Sequence, residues 1–342
     1  MVPKNLIDST PFFAIVIIGA TASGKTAFAH SLFQTLKEHS IDASLVNLDA
    51  FQIYKGISAG TAKPSLSEIT QFDYHCLDIA NPNENLDANT FAALVNNACT
   101  RIWQQQRIPI CVGGSGLYLR AFLHGLDRLP VRDLEFRNSI RKKAEEKSWA
   151  WCHEMLKQVD PIRAAELHPN DKTRIERALE IYHITGSPMS SLRSKTTSLE
   201  VQNLLFPCLI IHMEPSDNIL KMRIEKRVPE LFRSGWLEEV NALINQYGLN
   251  PLKEFHSMKA IGYNEVINYI QSHELSNFIE NTATLPPSEL IVKISTLTWH
   301  YAKKQRTWNN KEKKDLSICD GENFDFNVAI NKILKFSVDQ HN

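Results

Sequence analysis

The feature that most constrains the fold is an apolar run at residues 13–18 that leads directly into a glycine-rich loop. The run FAIVII is rich in β-branched side chains, which is typical of a strand buried on both faces of a parallel sheet. Helical composition follows over residues 26–38. The loop fits the pattern G-x-x-x-x-G-K-[ST] at every required position. Its residues are Gly19, Ala20, Thr21, Ala22, Ser23, Gly24, Lys25 and Thr26.

A strand, this loop and a helix together make a P-loop, which binds the phosphates of a di- or triphosphate. The glycines let backbone N–H groups point toward phosphate oxygens at the positive end of the following helix. Lys25 supplies a point charge for the terminal phosphates, and the Thr26 hydroxyl is the expected protein ligand of Mg²⁺. We therefore expect magnesium as the cofactor of this loop.

Strands and helices alternate over the first part of the chain. Short apolar strands are predicted at 44–48 and 108–112, with an amphipathic helix at 87–106 between them. This alternation is typical of an α/β fold with a doubly wound parallel sheet, here of the P-loop NTPase-like type. Strand candidates then disappear, and several helices are predicted, until a strand at 204–212 returns the chain to the sheet.

These changes of pattern divide the chain into four segments. Residues 1–126 and 201–310 form the two parts of the P-loop core, and residues 127–200 form a helical insertion between them. Residues 311–342 are basic and then polar, so we expect a loosely packed C-terminal tail.

Composition excludes several classes of protein. The 342 residues carry a net charge of zero, which argues against a uniformly basic nucleic-acid coat but leaves room for a local basic patch. The six cysteines are scattered without a C-x-x-C pair, so neither a zinc site nor a disulfide framework is expected. No apolar stretch is long enough to span a bilayer. We expect a cytoplasmic, monomeric protein that makes no membrane contact.

Two polar residues follow predicted strands, at the edge where parallel sheets bind their ligands. Asp49 comes directly after the strand at 44–48, and its carboxylate could accept a proton from an attacking hydroxyl or amine. A role as helix cap or turn residue suits the same aspartate. Ser115 lies in the glycine cluster 113–116, which allows either close approach of a ligand or a tight turn between strand and helix.

Basic residues are concentrated in three predicted helices. Arg174 and Arg177 share one helical face, and further groups lie at 221–227 and 303–306. Each group is either an ordinary solvated face or part of a clamp for a diphosphate or an RNA backbone. No apolar run ending in aspartate follows the third strand, so the Mg²⁺-binding carboxylate of motor and switch NTPases is missing from its usual place.

Beyond these patterns, the chain resembles the bacterial tRNA dimethylallyltransferase (tRNA isopentenyltransferase) family over residues 15–308. Nine motifs occur in the family's order, which is far more specific than any one of them alone. The motifs are GATASGKT at 19–26, DAFQIYKG at 49–56, GTAKPS at 60–65, YHCLDI at 74–79, GGSGLY at 113–118, HPNDKTRIERALEI at 168–181, SGWLEEV at 234–240, AIGYNEV at 260–266 and YAKKQRTW at 301–308.

The resemblance implies transfer of a dimethylallyl group from dimethylallyl diphosphate to the exocyclic amine of adenine 37, next to the tRNA anticodon. A P-loop alone is typical of nucleotide and ATP binding, whereas this family uses it for the diphosphate leaving group. Arg223 and Arg227 lie where the family's helix approaches that diphosphate. The positions that match the family's catalytic residues are Lys25, Thr26, Ser115 and Asp49, with Asp49 as the general base.

The resemblance also implies the anticodon stem-loop of tRNA as partner. The adenine must leave the stack of that loop to react, and the helical insertion would grip the stem-loop. The residues that match the family's tRNA contacts are Asp49, Ala50, Phe51, Gln52, Ser115, Arg137, Thr173, Arg174, Ile175, Glu176 and Arg177.

Four positions depart from the family pattern. Ala50 replaces a usual serine, Lys259 replaces glutamine or arginine, and Trp299 and Lys304 replace arginines. Three alternatives share the P-loop fold. A small-molecule kinase would use Asp49 to activate a hydroxyl for attack on ATP, an adenylate isopentenyltransferase would prenylate free AMP or ATP, and a non-catalytic relative would only bind RNA.

Overall fold

The computed structural model describes residues 12–127, 129–192, 204–272, 285–321 and 323–339. The chain forms two compact units. The first unit comprises Met1–Leu123 and Leu204–Asn342, and the second comprises His124–Asn203. The second unit is thus inserted into the first along the chain, at bounds close to the 127–200 expected from the loss of strand pattern.

The first unit is built on a parallel sheet, to which the described part of the chain contributes six strands. They are β1 (Ala14–Gly19), β2 (Ala43–Leu48), β3 (Tyr74–His75), β4 (Ile108–Gly113), β5 (Cys208–Met213) and β6 (Leu316–Ile318). Their order across the sheet is β3-β2-β4-β1-β5-β6, and each pairing is parallel. This arrangement confirms the predicted α/β class. The strand predicted from residue 204 begins only at Cys208.

Helices connect and cover the strands. In chain order they are α1 (Lys25–Glu38), α2 (Leu66–Gln71), α3 (Ala88–Gln104), α4 (Gly116–His124), α5 (Leu134–Lys147), α6 (Trp149–Val159), α7 (Pro161–Glu166), α8 (Lys172–Thr185), α9 (Met189–Leu192), α10 (Asp217–Arg233), α11 (Trp236–Tyr247), α12 (Leu249–Glu254), α13 (Tyr263–Ser272), α14 (Ser288–Asn309) and α15 (Phe326–Asp339). None of these described helices is both long and apolar enough to cross a membrane.

Apolar helices cover both faces of the sheet. On one face, Phe28 and Leu32 of α1 belong to the same buried cluster as Ile15 of β1. Side chains alternate along a strand, so Cys111 of β4 points to the other face, where its Sγ lies 3.7 Å from Cys99 Sγ of α3. Because β1, β2, β4 and β5 are buried along their whole length, ligands can reach them only at their ends.

The prediction of a loosely packed tail at 311–342 is wrong. Leu316–Ile318 pairs in parallel with β5 as an edge strand, and Phe326–Asp339 forms α15. Ile330 and Ile333 are buried in the same apolar cluster as α1. The helical spacing of these two isoleucines indicates a buried helix face. The prediction of a loose tail followed instead from the charged residues that precede β6.

The second unit has a core of its own, with Ile140 of α5 and Ile175 of α8 in one apolar cluster. A buried ion-pair network also joins these two helices. The Glu180 carboxylate accepts hydrogen bonds from Arg137 Nε and Nη2, both at 2.7 Å, and from Arg177 Nη1 at 2.5 Å. Burial opposes ionisation of Glu180, but the two guanidinium groups outweigh it and hold the pKa of this carboxyl below its usual value.

Replacing Glu180 by glutamine should destabilise the second unit by about 3 kcal/mol, because Arg137 stays buried without its carboxylate. Hydrogen exchange across α5 and α8 measures this loss. Glu146→Gln, at an exposed position of α5, is the matched control and should leave exchange unchanged. Equal exchange in Glu180→Gln and the wild type would contradict the expectation.

The contribution of the Glu180 carboxylate to the stability of the second unit depends on pH. The pKa of Glu180 is depressed in the folded state, so its stabilisation is complete above the unfolded-state pKa and is lost as the pH falls through the folded-state pKa. Exchange in the wild type should therefore approach that of Glu180→Gln under acidic conditions.

Candidate active site

A cavity of about 330 Å³ lies where three strands of the sheet end. The P-loop after β1, Asp49 after β2 and Gly113 at the end of β4 all line it. Helices α10 and α14 contribute Arg227 and Tyr301 to the same lining. The carboxyl ends of parallel strands are where α/β folds bind their ligands, so the cavity occupies the edge that the sequence indicates.

The P-loop has the backbone conformation of an anion-binding turn. Ala22 and Gly24 have positive φ angles of 60° and 92°, a conformation that lets neighbouring N–H groups converge on one point. Gly24 precedes α1 and provides no side-chain cap for its first turn. The unpaired N–H groups of that turn, at the positive end of the helix dipole, are suited to a phosphate.

Three cations lie around this loop. Lys25 Nζ donates to the Ala20 carbonyl oxygen at 2.6 Å, and Arg223 Nη1 donates to the Ser23 carbonyl oxygen at 3.2 Å. Arg227 follows Arg223 by one turn of α10 and lines the cavity. The two arginines predicted from the resemblance thus lie at the P-loop, where they can supply charge to an anion bound there.

Two of these cations, Lys25 and Arg227, have lost much of their hydration. Burial lowers the pKa of Lys25 to about 8, with the negative charge of Asp49 opposing the shift and the positive charge of Arg227 adding to it. Burial also lowers the pKa of Arg227, again against the attraction of Asp49. Positive charge is therefore concentrated where it favours binding of a polyanion.

Asp49 occupies a turn that a neighbouring side chain holds in place. Its N–H donates to Asn47 Oδ1 at 2.9 Å, and Asn47 Nδ2 donates to the Asp49 carbonyl oxygen at 3.0 Å. One carboxylate oxygen, Oδ1, accepts from Phe51 N at 2.9 Å. Because Asp49 also lines the cavity, the turn role and the position near the ligand, which the sequence left as alternatives, occur together.

Among the polar cavity residues of helix α14 are Tyr301 and Gln305, which the sequence analysis did not single out. Gln305 Oε1 accepts from Thr21 N at 2.7 Å, and its Nε2 donates to the Gly114 carbonyl oxygen at 3.0 Å. The Tyr301 hydroxyl lies beside the side chains of Ser115 and Gln305, which both influence its pKa. Both residues lie in the motif YAKKQRTW, which was the only sequence signal for them.

The glycine cluster after β4 makes room for protein neighbours. A Cβ atom on Gly114 would lie 2.1 Å from the Gly19 carbonyl oxygen, and one on Gly113 would lie 2.5 Å from the Leu48 carbonyl oxygen. Of the two interpretations of this cluster, the structure favours the tight turn between strand and helix. Its consequence for the site is that the loops after β1 and β4 are in direct contact.

Three of the five predicted tRNA contacts of the first unit line the cavity, whereas Ala50 and Ser115 do not. Phe51 and Gln52 line it, and Gln52 Nε2 donates to the carbonyl oxygen of Thr61 at 3.1 Å. Ala50 is buried, and its N–H donates to Ser115 Oγ at 3.3 Å. Ala50 therefore acts through its backbone, whereas Asp49, Phe51 and Gln52 line the cavity.

The predicted tRNA contacts of the second unit differ in exposure. Thr173 and Arg174 are exposed, whereas Ile175 is fully buried in the core of the unit. The prediction for Ile175 is therefore corrected to a packing role. Glu176 is also buried, and it accepts from Arg141 Nε at 2.6 Å.

Arg137 and Arg177 of the same predicted set belong to the network around Glu180. Arg137 is only 8% exposed, and two of its guanidinium nitrogens donate to Glu180. Arg177 also donates to the Pro130 carbonyl oxygen at 2.7 Å. The structure thus gives Arg137 a stabilising role inside the unit and leaves Arg174 as the accessible arginine of α8.

Oxygen donors suited to Mg²⁺ come from Thr26 and Asp49, which line the same cavity. Within the residues that the structure describes, no group of three or more His, Cys, Asp or Glu side chains is arranged to hold a metal ion. An ion here would take most ligands from bound phosphate and water, which is the usual habit of Mg²⁺. The donor set therefore fits magnesium bound together with a diphosphate.

Known proteins resemble this chain in sequence and fold. The family model described as IPP transferase matches residues 52–312. The chain belongs to the IPP transferase family. Among curated relatives, tRNA dimethylallyltransferase 2 of Geotalea daltonii is 36% identical over 298 residues, which cover 87% of this chain and 85% of the relative. The tRNA dimethylallyltransferase of Geobacter sulfurreducens is 34% identical and covers 87% and 89%.

Solved structures of similar fold carry related names. The full-length tRNA isopentenylpyrophosphate transferase of Bacillus halodurans superimposes with a TM-score of 0.63 at 26% identity, covering 97% of this chain and 100% of that one. A eukaryotic dimethylallyltransferase acting on tRNA gives a TM-score of 0.72 at 25% identity, covering 94% and 78%.

The four departures of this IPP transferase from the family pattern lie outside the reacting groups. Lys259 and Lys304 are exposed, and neither lines the cavity. Trp299 packs under the ammonium groups of Lys221 and Lys303, which lie 5.2 Å and 4.9 Å from its ring centroid. Ala50, as noted, contributes its backbone N–H.

Affinity of this IPP transferase for inorganic diphosphate should fall by about fivefold between pH 8 and pH 9, because Lys25 loses its proton over this range. Lys25→Arg keeps the positive charge and does not titrate there, so its affinity should change less. Titration calorimetry of both proteins at each pH measures the difference, and the titration of the ligand itself cancels. Parallel pH profiles would show that Lys25 stays protonated throughout.

Proposed function

We propose that this IPP transferase moves a dimethylallyl group from dimethylallyl diphosphate to the exocyclic N6 amine of adenine 37 in tRNA and releases diphosphate. One observation carries the proposal, namely that the same cavity is lined by a phosphate-binding loop, a carboxylate and apolar side chains. The loop would hold the diphosphate leaving group, and the carboxylate would accept a proton from the attacking amine. The apolar side chains would surround the transferred carbon chain. The names of the relatives support the same substrate pair.

Charge and apolar surface come from different parts of the cavity lining. Residues 21–27 and Arg227 contribute N–H groups and cations, whereas Val228, Leu231 and Trp236 contribute apolar side chains. A dimethylallyl group is entirely apolar and is stabilised when such side chains remove it from water. The two kinds of lining therefore suit the two halves of a prenyl diphosphate.

The transfer breaks the bond between the allylic carbon and the oxygen that joins it to the first phosphorus. The electron pair of this bond leaves with the diphosphate. Lys25, Arg223 and the P-loop N–H groups stabilise the charge that develops on the leaving oxygen. The N6 amine forms the new bond to the carbon and gives up one proton. An aromatic amine is a poor nucleophile, so Asp49 assists by accepting that proton.

Magnesium, when bound, would neutralise part of the diphosphate charge, with the Thr26 hydroxyl as its protein ligand. This role agrees with the exposed position of Thr26 in the first turn of α1. The hydroxyl and the free N–H groups of the same turn would then hold the ion and the diphosphate side by side.

The RNA part of the substrate calls for a surface that can contact phosphates. In the second unit, Thr173 and Arg174 at the start of α8 and Lys142 and Lys143 on α5 are exposed. Arg174 pairs with Asp171 at the surface, where such a pair contributes little and is easily replaced. We assign contacts with the phosphates of the anticodon stem-loop to this unit, and the target adenine must leave the stack of that loop to react.

Replacing Asp49 by asparagine should lower prenyl transfer at least about a hundredfold, because the base is lost while the amide oxygen can still accept from Phe51 N. Isotope-labelled dimethylallyl diphosphate and an unmodified tRNA transcript provide the assay. Asp42→Asn, at the exposed position directly before β2, is the matched control and should react at the wild-type rate.

The same assay separates the alternatives. Labelling of free AMP in preference to tRNA would indicate an adenylate isopentenyltransferase. Consumption of ATP with an alcohol, without labelling of tRNA, would indicate a kinase. Binding of tRNA without any labelling would indicate a non-catalytic relative, and wild-type transfer by Asp49→Asn would overturn the assignment of the base.

A further inference from the structure

One buried side chain of α14 connects two loops of the cavity. Gln305 is only 4% exposed, yet both ends of its amide group are used. Its Oε1 accepts from Thr21 N of the P-loop, and its Nε2 donates to the Gly114 carbonyl oxygen after β4. A buried amide that is satisfied on both sides fixes the two backbones relative to each other.

One turn earlier on α14, the Tyr301 hydroxyl extends this network toward Asp49. The side chains of Ser115 and Gln305 lie beside this hydroxyl and interact with it electrostatically. Ser115 Oγ in turn accepts from the N–H of Ala50, the residue directly after Asp49. Burial, together with the negative charge of Asp49, raises the pKa of Tyr301, so the hydroxyl keeps its proton.

Helix α14 is itself anchored to α10, the helix that carries Arg223 and Arg227. Arg306 forms an ion pair with Asp217 in the first turn of α10, and its Nη2 donates to the Pro215 carbonyl oxygen at 3.2 Å. Gly116 lies against the Trp308 ring, where an added Cβ would be 2.8 Å away. These contacts make α14 a fixed reference for the loops that it touches.

We propose that Gln305 and Tyr301 are positioning residues that fix the separation between the P-loop and the Asp49 turn. The inference builds on the proposed function, in which the P-loop holds the leaving group and Asp49 accepts the proton. A displacement of about 1 Å between such groups can reduce a rate about a hundredfold, so a network that holds this separation affects the reaction rate.

Tyr301→Phe should lower kcat about tenfold or more. The KM for dimethylallyl diphosphate should stay within twofold, because the hydrogen bond from Thr21 N to Gln305 still holds the P-loop. If Tyr301 acts through Ser115, the double variant Tyr301→Phe/Ser115→Ala should be no slower than Ser115→Ala alone. Tyr247→Phe removes a hydroxyl outside the cavity and should behave as wild type. Full additivity of the two changes would overturn the link through Ser115.

Gln305→Leu should weaken binding of inorganic diphosphate about tenfold, because Thr21 N loses its acceptor and the P-loop is no longer held. Gln246→Leu, at an exposed position of α11, is the matched control. Calorimetry measures the affinity, and thermal unfolding of each variant shows whether the protein remains folded. Unchanged diphosphate affinity in a folded Gln305→Leu protein would refute the role of Gln305.

Two readouts keep this inference separate from the proposed function. Diphosphate binding tests Gln305 whether or not the protein prenylates tRNA. Hydrogen exchange of the segment after β2, including the Ala50 amide, should become about tenfold faster in Tyr301→Phe than in Tyr247→Phe. If wild-type protein fails to label tRNA, the proposed function fails, and these two measurements still decide whether the positioning network exists.

Discussion

The candidate site depends on the parallel register of three neighbouring strands. Gly113 of β4 pairs with Ile18 of β1 on one side and with Leu48 of β2 on the other, so three segments leave the sheet at one level. Neighbouring strands are about 4.8 Å apart, which separates the exits of β1 and β2 by about 10 Å. A phosphate held after β1 and a carboxylate after β2 therefore leave space between them for one small reacting group.

The parts of this arrangement that the sequence predicts are those that short-range patterns determine. A continuous apolar run, a glycine-rich loop and a helix define the P-loop, and all three are recognised from residues that are close together in the sequence. Parallel pairing then places Asp49 and Ser115 at the same edge, since all carboxyl ends of such a sheet coincide. The sequence therefore predicts the position of the cavity but not all of the residues that line it.

Other residues that line the cavity lie far from the P-loop in the sequence. Gln305 and Thr21 are separated by 284 residues, and nothing in helical periodicity says which polar residue of α14 meets which loop. The same limit explains Arg137, which matched a tRNA-contact position of the family although Glu180, on another helix, neutralises its charge inside the unit. Side chains matched by long-range packing are the ones that sequence patterns misassign.

The distribution of charge in the cavity bears on how a prenyl donor would be held. Lys25 and Arg227 disfavour each other's charge and have lost hydration, so the ligand-free cavity carries an electrostatic cost that Asp49 only partly offsets. A bound diphosphate removes this cost, whereas a five-carbon chain gains only apolar contacts. Affinity then resides mainly in the half of the donor that is not transferred. The binding energy of the diphosphate can orient the reacting carbon, and the prenylated product, which lacks that half, is free to leave.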